Sequence, residues 1–589
     1  CDVRYFSLDY LDRAGADLHA TLTDVTYYMA HVGEWVFTGA AHNQADHAAL
    51  PFLTECFARD YPDFCTPVRL AAFLRARREA PAFIQWCFES IDWRRYDIVG
   101  FTTSFQQTMA SLALARRIKQ AHPDIQIVFG GVNCLDQMGR TLLAQYEFLD
   151  AVCVGEGDRC FPEWVRRLRA GEALEGITGM AVRANQAVVA GNDAVTDLDA
   201  LPFPDYDDFF RQHAQSSLAA LYSPSLVFET ARGCWWGAKS HCTFCGLNGT
   251  HIAFRVKSQD RAYDELAYLV ARHHCADAAN TDKILDTSYF QEFIPRLAAA
   301  NLGLNIYYEA KVGMSPDELA LLAQAGIRKV QFGIETFDTD LLRLMAKGST
   351  MLQNIETMKL CAEHGIYVEW LALSGFPGER PEHYDRLAKL LPKLFHLQPP
   401  AAFIRARADR FSPYERDPGR FGVKLEPLPA YRHIFPFDDN TVRALANHFT
   451  LCSAELSGHD GYVAETAAQY ALWQAEASQA CLWYEVVDQD IIEIHDTRQG
   501  VEEIITNLQG VSAALLRLCP VITHWRALLA GFGGQVSGGE AALMAASLCL
   551  QAQGFLLREG NRLLALPLRQ PGPRRALSWP EIRDRQGRA

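Results

Sequence analysis

The sequence predicts an α/β protein made of a doubly wound parallel sheet, an incomplete α/β barrel and a small α+β unit resembling a winged helix. Three observations carry this. Strand and helix patterns alternate between about residues 97 and 165, with glycines closing the strands. The alternation returns from Ser225 to about Pro400 in five or six units. Beyond Trp473, helical stretches end in a hairpin pattern, Gly554-Phe-Leu-Leu-Arg-Glu-Gly-Asn-Arg-Leu-Leu-Ala-Leu566.

Residues 1–195 form the first unit. Asp2-Val-Arg-Tyr-Phe-Ser reads as a strand, as does Asp97-Ile-Val-Gly-Phe-Thr-Thr, and Thr108–Gln120 carries apolar residues at helical spacing. Ile125-Gln-Ile-Val-Phe ends in Gly130-Gly131, and Ala151-Val-Cys-Val ends in Gly155-Glu156-Gly157-Asp158. Ligands of such sheets bind beyond the carboxyl ends of the strands. Glycines there allow a flat or phosphate-bearing ligand to approach the backbone, and flavin, nucleotide and cobalamin all qualify. Residues 196–224 are a proline-rich, acidic linker. Residues 225–400 offer strands at Leu226–Thr230, Lys283–Asp286, Asn305–Glu309, Lys329–Gly333 and Val368–Leu373, with chemistry expected at their carboxyl ends. Residues 401–472 cap the barrel, and residues 473–589 form the C-terminal unit. That unit has a strand at Asp490–His495 and a basic tail expected to be disordered.

The chain has 589 residues, and 56 basic against 70 acidic residues give a net charge of −14. That balance excludes nucleic acid as the main partner, which would demand a basic footprint. No window approaches the roughly 18 unbroken apolar residues of a membrane span, and no secretion signal is evident. The chain has 16 cysteines, most without regular spacing, which suits a reducing cytoplasm.

Three cysteines stand apart, in the run Cys234-Trp-Trp-Gly-Ala-Lys-Ser-His-Cys242-Thr-Phe-Cys245 that follows the strand Ser225–Thr230. Three thiolates on one loop can hold three irons of a four-iron cluster and leave the fourth open. They can equally hold zinc, with His241 or His251 as fourth ligand, or be buried thiols.

The loop resembles the cluster motif of radical S-adenosylmethionine (SAM) enzymes in a variant spacing, seven residues and then two. Its Gly-Cys-Trp-Trp-Gly start and Cys-x-Phe-Cys-Gly-Leu-Asn end are similar to the cobalamin-binding radical SAM proteins that mature ribosomally made peptides, RiPP maturation radical SAM protein 1. Further matches are Lys283-Ile-Leu-Asp286-Thr-Ser-Tyr289-Phe, Tyr308-Glu309-Ala-Lys311, Gln331-Phe-Gly-Ile-Glu335-Thr, Leu344-Met-Ala-Lys347-Gly348, Gly375-Phe-Pro-Gly378-Glu379 and Arg410-Phe-Ser-Pro-Tyr414. Together they span roughly residues 95–435.

The resemblance implies a Rossmann-like cobalamin-binding domain lacking its first strand–helix unit, then a partial (β/α)6 radical SAM barrel. It implies a 4Fe-4S cluster on Cys234, Cys242 and Cys245. SAM would lie among Phe244, Tyr308, Glu309, Lys311, Gln331 and Glu335. Cobalamin would meet Thr102, Ser104, Phe105, Gln106 and Gln107 together with Gly130, Gly131, Gly155, Glu156 and Gly157. The Asp-x-His-x-x-Gly signature is absent, so its cobalt should lack a histidine. Ordinary helix capping, salt bridging and packing account for many of the same residues. Lys283 departs from the family, in which an asparagine usually follows the aspartate matching Asp282. Arg410 and Tyr414 would line the substrate pocket as catalytic residues. The implied activity is C-methylation of an unactivated carbon in a precursor peptide. The edge of the C-terminal hairpin can accept an added strand from that peptide's leader, the alternative being that residues 473–589 brace the barrel. An electron carrier such as ferredoxin or flavodoxin would support it. Oxidative cyclisation, epimerisation and hydroxylation use the same cofactors, and a non-catalytic peptide-binding scaffold holding zinc is the alternative of another class.

Overall fold

A computed structural model of the protein describes all residues except 16–17, 19–21, 23–29, 44–48, 61–64, 105, 184–193, 221–222, 248, 250, 489–490, 499, 501, 533–538 and 570–589. Phe105 and the basic C-terminal tail therefore lie outside the described residues.

The first sheet has β1 (Ile98–Thr102), β2 (Gln126–Gly130) and β3 (Ala151–Cys153) parallel and in order, with β4 (Met180–Val182) antiparallel at its edge. Among the described residues before β1 the regular elements are helices, which corrects the strand expected at Asp2–Ser7. A helix starts at Phe6 and runs to Ala14, because Leu8 and Leu11 recur at helical spacing and bury one face. The helix Val32–His42 packs on the helix Thr108–Ala121. Its Glu34 carboxylate takes the backbone N–H groups of Thr108 and Met109 at 3.0 and 2.7 Å, capping donors that a helix start leaves unpaired. Burial pushes the Glu34 carboxyl up to about 7.

The barrel begins with β5 (Leu226–Phe228). A two-residue ladder, β6 (Ala231–Arg232) and β7 (Arg255–Val256), closes the base of the cysteine loop. Then come β8 (Asp277–Asn280), β9 (Asn305–Ala310), β10 (Ile327–Phe332) and β11 (Tyr367–Glu369), parallel to β5 and in chain order. The sheet continues through β12 (Ala372–Ser374), bridged to Glu335, and β13 (Phe403–Arg405). The expected strand at Lys283–Asp286 lies six residues upstream instead. Asp277-Ala-Ala-Asn280 lacks the β-branched signature of a strand and is held by neighbours on both sides; Ile284 and Leu285 are buried loop residues.

Behind the cysteine loop lies an antiparallel sheet of β14 (Arg407–Asp409), β15 (Lys424–Pro427) and β16 (His448–Cys452), ordered β14-β16-β15. The C-terminal unit opens with a meander, β17 (Leu482–Val486), β18 (Ile491–Asp496) and β19 (Ile504–Gln509). A helix (Gly510–Leu518), β20 (Thr523–His524), two helices (Trp525–Phe532, Gly539–Ala552) and the hairpin β21 (Leu556–Glu559) and β22 (Arg562–Ala565) follow, in winged-helix order. This unit docks on the barrel helix Met351–His364, whose buried Lys359 donates to the Pro520 carbonyl at 2.7 Å. Among the described residues no helix is long and apolar enough to cross a membrane.

Candidate active site

The cysteine loop is fixed at its base by charge. The β6–β7 register places Arg232 opposite Arg255, a repulsive pair unless neutralised. Glu156 reaches Arg232 at 3.1 Å and Arg255 at 2.7 Å, takes the Val195 N–H at 2.8 Å, and Asp158 meets Arg232 at 2.7 Å. Burial alone would raise the Glu156 carboxyl, but Arg255, Val195 and Arg232 hold it below the usual range. The turn Gly155–Asp158 is thus a clasp between sheet and barrel. Glu156, expected to meet a cofactor, is spent on arginines.

Above the clasp, Gly233 takes φ +83°, and a side chain there would collide with the Ala253 carbonyl. Cys234 caps the short helix Trp235–Lys239, its Sγ accepting the Gly237 N–H at 3.3 Å. Trp235 donates Nε1–H to the Leu285 carbonyl and Trp236 to that of Ala346, both at 3.1 Å. A side chain on Gly348 would overlap the Trp236 ring. The paired tryptophans therefore staple the loop onto two barrel connections.

The Cys242–Cys245 turn is gripped from both sides. Thr243 donates its N–H to Met345 at 3.1 Å and accepts that of Tyr414 at 3.0 Å; Phe244 accepts that of Asp409 at 3.0 Å. The Asp409 carboxylate takes the Gly246 N–H at 3.3 Å and lies 3.1 Å from His448 Nδ1. Burial pushes Cys245 up to about 12 and raises Cys234, so a metal must draw these thiols into the thiolate form.

Two sulfurs bound at about 2.3 Å to one zinc stand no more than about 4.6 Å apart. The described ligand groups whose atoms all lie within 4.8 Å of one another are Asp338–Asp340–His383 and Glu485–Glu493–His495, and the three cysteines are not among them. His241, one of the two candidate fourth ligands, has Nε2 2.8 Å from the Cys245 carbonyl.

Cations and carboxylates gather beside the loop. Lys347 pairs with Glu335 at 2.8 Å. Burial would depress this lysine, but Glu335 holds it above its ordinary range. Glu335 is left-handed at φ 57°, an unusual conformation for a residue with a side chain, and it lies three residues past the end of β10. Lys311 donates to the Lys347 carbonyl at 2.5 Å, lies 3.9 Å over the Trp236 ring, and is depressed to about 8 by burial and by Lys347. Phe244 packs edge-on to Phe376 with centroids 5.6 Å apart. Phe376 belongs to the Gly375–Glu379 turn, where the Glu379 carboxylate takes the N–H groups of Gly375 and Phe376 at 2.8 Å each.

Strand alternation sorts the remaining candidates. Tyr307, Glu309, Lys329, Gln331, Tyr367 and Glu369 share the inner face by register, with Tyr307 donating to Gln331 at 2.9 Å and Lys329 paired to Glu369 at 2.8 Å. Burial raises Glu309, opposed by the exposed Lys283. Tyr308 points the other way. It is fully buried, with its hydroxyl 3.4 Å from Thr230, and is a core residue rather than the cofactor contact expected. Asp282 likewise turns inward to Thr230, accepting its N–H at 2.8 Å.

At the carboxyl edge of the first sheet, Gln106 accepts the Gly33 N–H and donates to the Leu22 carbonyl at 3.2 Å, and Gln107 takes the Ser104 N–H at 2.9 Å. Gly131, at φ +99°, lets Thr103 pass, because a side chain there would press on the Thr103 backbone. Thr102, Gly131 and Val132 stay exposed at this edge, as does Leu247 on the cysteine loop, while Leu135 packs where a side chain on Gly249 would stand. In sheets of this kind ligands bind beyond this edge.

Arg410 and Tyr414, expected to line the substrate pocket, are buried instead. Arg410 is buried, donating to the Ala446 carbonyl at 2.7 Å and to that of Arg443, with Glu415 at 3.3 Å. Tyr414 is buried behind the Cys242–Cys245 turn against Phe421, and burial pushes its hydroxyl up to about 12. Both brace the turn. Lys347 and Asp409 are the residues that site selection from sequence missed; Lys347 lay within a recognised segment, whereas nothing local marked Asp409.

Residues 228–391 match the model of the Radical SAM superfamily, so the barrel is a radical SAM domain. An uncharacterized methyltransferase of Pyrococcus horikoshii is 26% identical, over 51% of this chain and 64% of that protein. An anaerobic magnesium-protoporphyrin IX monomethyl ester cyclase of Synechocystis sp. is 22% identical, over 51% of this chain and 60% of that one. The chain thus spans less than two thirds of these curated relatives. The cobalamin-dependent SAM radical enzyme OxsB, solved with aqua-cobalamin bound, shares the fold at TM-score 0.50 and 16% identity, over 65% of this chain and 59% of that one.

Proposed function

We propose that this chain is a cobalamin-dependent radical SAM methyltransferase that methylates an unactivated carbon of a ribosomally made precursor peptide. The observation that carries the reading is the cysteine loop: three thiols on one stapled loop, over the carboxyl ends of a radical SAM barrel, beside the open edge of a parallel sheet. The methyltransferase relative and the shared fold with a cobalamin enzyme support the reaction class. The peptide substrate rests on the sequence motifs.

When bound, the cluster with SAM supplies a carbon-centred oxidant, and cobalamin supplies the methyl group. The protein contributes position and insulation. Cys234, Cys242 and Cys245 would hold the cluster, and Lys347 favours the thiolates of Cys234 and Cys245. Glu309, Gln331 and Glu335 present hydrogen-bonding groups to the barrel mouth, while Phe244 and Phe376 close its side. Thr102, Ser104, Gly130 and Gly131, at the carboxyl edge of the first sheet, would meet cobalamin, with no histidine motif to supply a cobalt ligand. A reducing compartment and a carrier such as ferredoxin or flavodoxin complete the requirement.

The hairpin β21–β22, expected to accept the leader, lies against the barrel helix Met351–His364, with Glu559 bonded to Thr339. Strand β19 offers the freer edge. Among the described residues it pairs on one side only, and Ile504 and Ile505 are 54% and 51% exposed. The test is mass spectrometry of the precursor peptide after anaerobic incubation with reconstituted protein, SAM, cobalamin and reductant. One added methyl group on carbon supports the reading. A cyclised, epimerised or hydroxylated product would replace methylation with one of those outcomes.

A further inference from the structure

The C-terminal meander holds a second charged cluster, remote in sequence from the cysteine loop. The β17–β18 register sets Glu485 opposite Glu493 and Trp483 opposite His495, and alternation puts all four on one face. Two carboxylates directly opposite each other repel. Among the described residues, the ion-pair partner of this group is His495, and no lysine or arginine pairs with Glu485, Glu493 or Glu503.

His495 is 9% exposed and stacks on Trp483, with ring centroids 4.0 Å apart and planes 4° from parallel. Its Nδ1 lies 3.1 Å from Glu503. Donation of Nδ1–H to that carboxylate leaves the lone pair on Nε2, the arrangement by which a carboxylate orients a metal-binding imidazole. Nε2 is buried without a hydrogen-bond partner and lies 3.7 Å from Glu485. A ring nitrogen of His495 and one oxygen each of Glu485 and Glu493 all lie within 4.8 Å of one another. A lone pair facing two carboxylates is unfavourable unless a cation stands between them.

We infer that Glu485, Glu493 and His495 form a divalent-metal site suited to zinc, with Glu503 as the positioning residue behind the imidazole. One imidazole and two carboxylates are a set that zinc accepts, with a further position left open. Ligand atoms on one zinc at about 2.0–2.2 Å stand within about 4.4 Å of each other. Glu485, whose side chain is 52% exposed, is free to draw in by that margin. The site would clamp β17 to β18 and so steady the sheet that carries the open β19 edge. It does not depend on the proposed methyl transfer.

The test titrates zinc chloride into the full chain with its iron–sulfur cluster in place, following heat and the zinc retained after desalting. The wild type should retain one zinc more than Glu493→Gln or His495→Ala, and Glu503→Gln should bind it roughly 10- to 100-fold more weakly. Glu493→Gln changes charge without changing bulk, and its thermal unfolding without zinc establishes that it is folded. Wild-type zinc affinity in a folded Glu493→Gln, or a wild type that takes up no zinc at this site, would overturn the inference. Either result would leave the cluster as the His495 contacts to Glu485 and Glu503 alone.

Discussion

The cysteine loop and the Gly155–Asp158 turn are alike in sequence terms. Each follows a parallel strand, each carries glycines, and each was expected to meet a cofactor. The structure treats them differently. The loop has backbone and tryptophan staples on its flanks, and its three thiols form no disulfide. The turn commits Glu156 to Arg232 and Arg255, the pair that anchors the loop, and Asp158 to Arg232. A residue type suited to a ligand is available for one only if the fold leaves its polar atoms unclaimed.

The largest effect should come from the cation beside the loop. Lys347→Met strips Glu335 of its 2.8 Å partner and leaves a mostly buried carboxylate uncompensated, at a cost of about 3 kcal/mol in thermal or denaturant unfolding. Unchanged stability would show that Glu335 is solvated instead. Glu156→Gln, in the contrasting turn, should cost about 2 kcal/mol by weakening charged hydrogen bonds to both arginines, with cobalamin affinity in the folded variant unaltered. Cobalamin affinity that falls while stability holds would return Glu156 to the ligand.

A pH profile separates the capping of the first sheet from this clasp. The Glu34 carboxyl is raised from 4.5 to about 7, so between those values the native chain keeps a proton that the unfolded chain releases. Stability should therefore fall as pH rises through that window and level off above about 7. In Glu34→Gln that decline should be absent, with a cap loss of about 1 kcal/mol. A profile shared by both proteins would contradict the buried, proton-holding Glu34. The smallest effect belongs to Tyr414→Phe, under about 1 kcal/mol with SAM cleavage retained, because the hydroxyl serves packing. Loss of cleavage without loss of stability would restore Tyr414 to the chemistry.

Much of the barrel was legible because Asn305–Ala310 and Ile327–Phe332 combine β-branched and aromatic residues with alternation. Strand β8 was not, since Asp277-Ala-Ala-Asn280 owes its conformation to two neighbours rather than to its own pattern. The three cysteines were legible as a set from their spacing. Their supports were less so: Asp409 reaches Gly246 across 163 positions and Trp236 reaches Ala346 across 110, separations that no local pattern encodes. Tyr308 and Glu309, adjacent in a recognised segment, were taken together, yet strand alternation sends one to the core and the other to the barrel mouth.

The account rests on three thiols holding a cluster with one open iron, and iron and sulfide analysis with deoxyadenosine measurement tests this most directly. After identical anaerobic reconstitution, the wild type should carry a four-iron cluster and form deoxyadenosine from SAM. Cys242→Ala, removing one of three protein bonds, should lose cluster iron and deoxyadenosine together. A full four-iron cluster in Cys242→Ala, or a wild type that takes zinc on this loop and leaves SAM uncleaved, would contradict it.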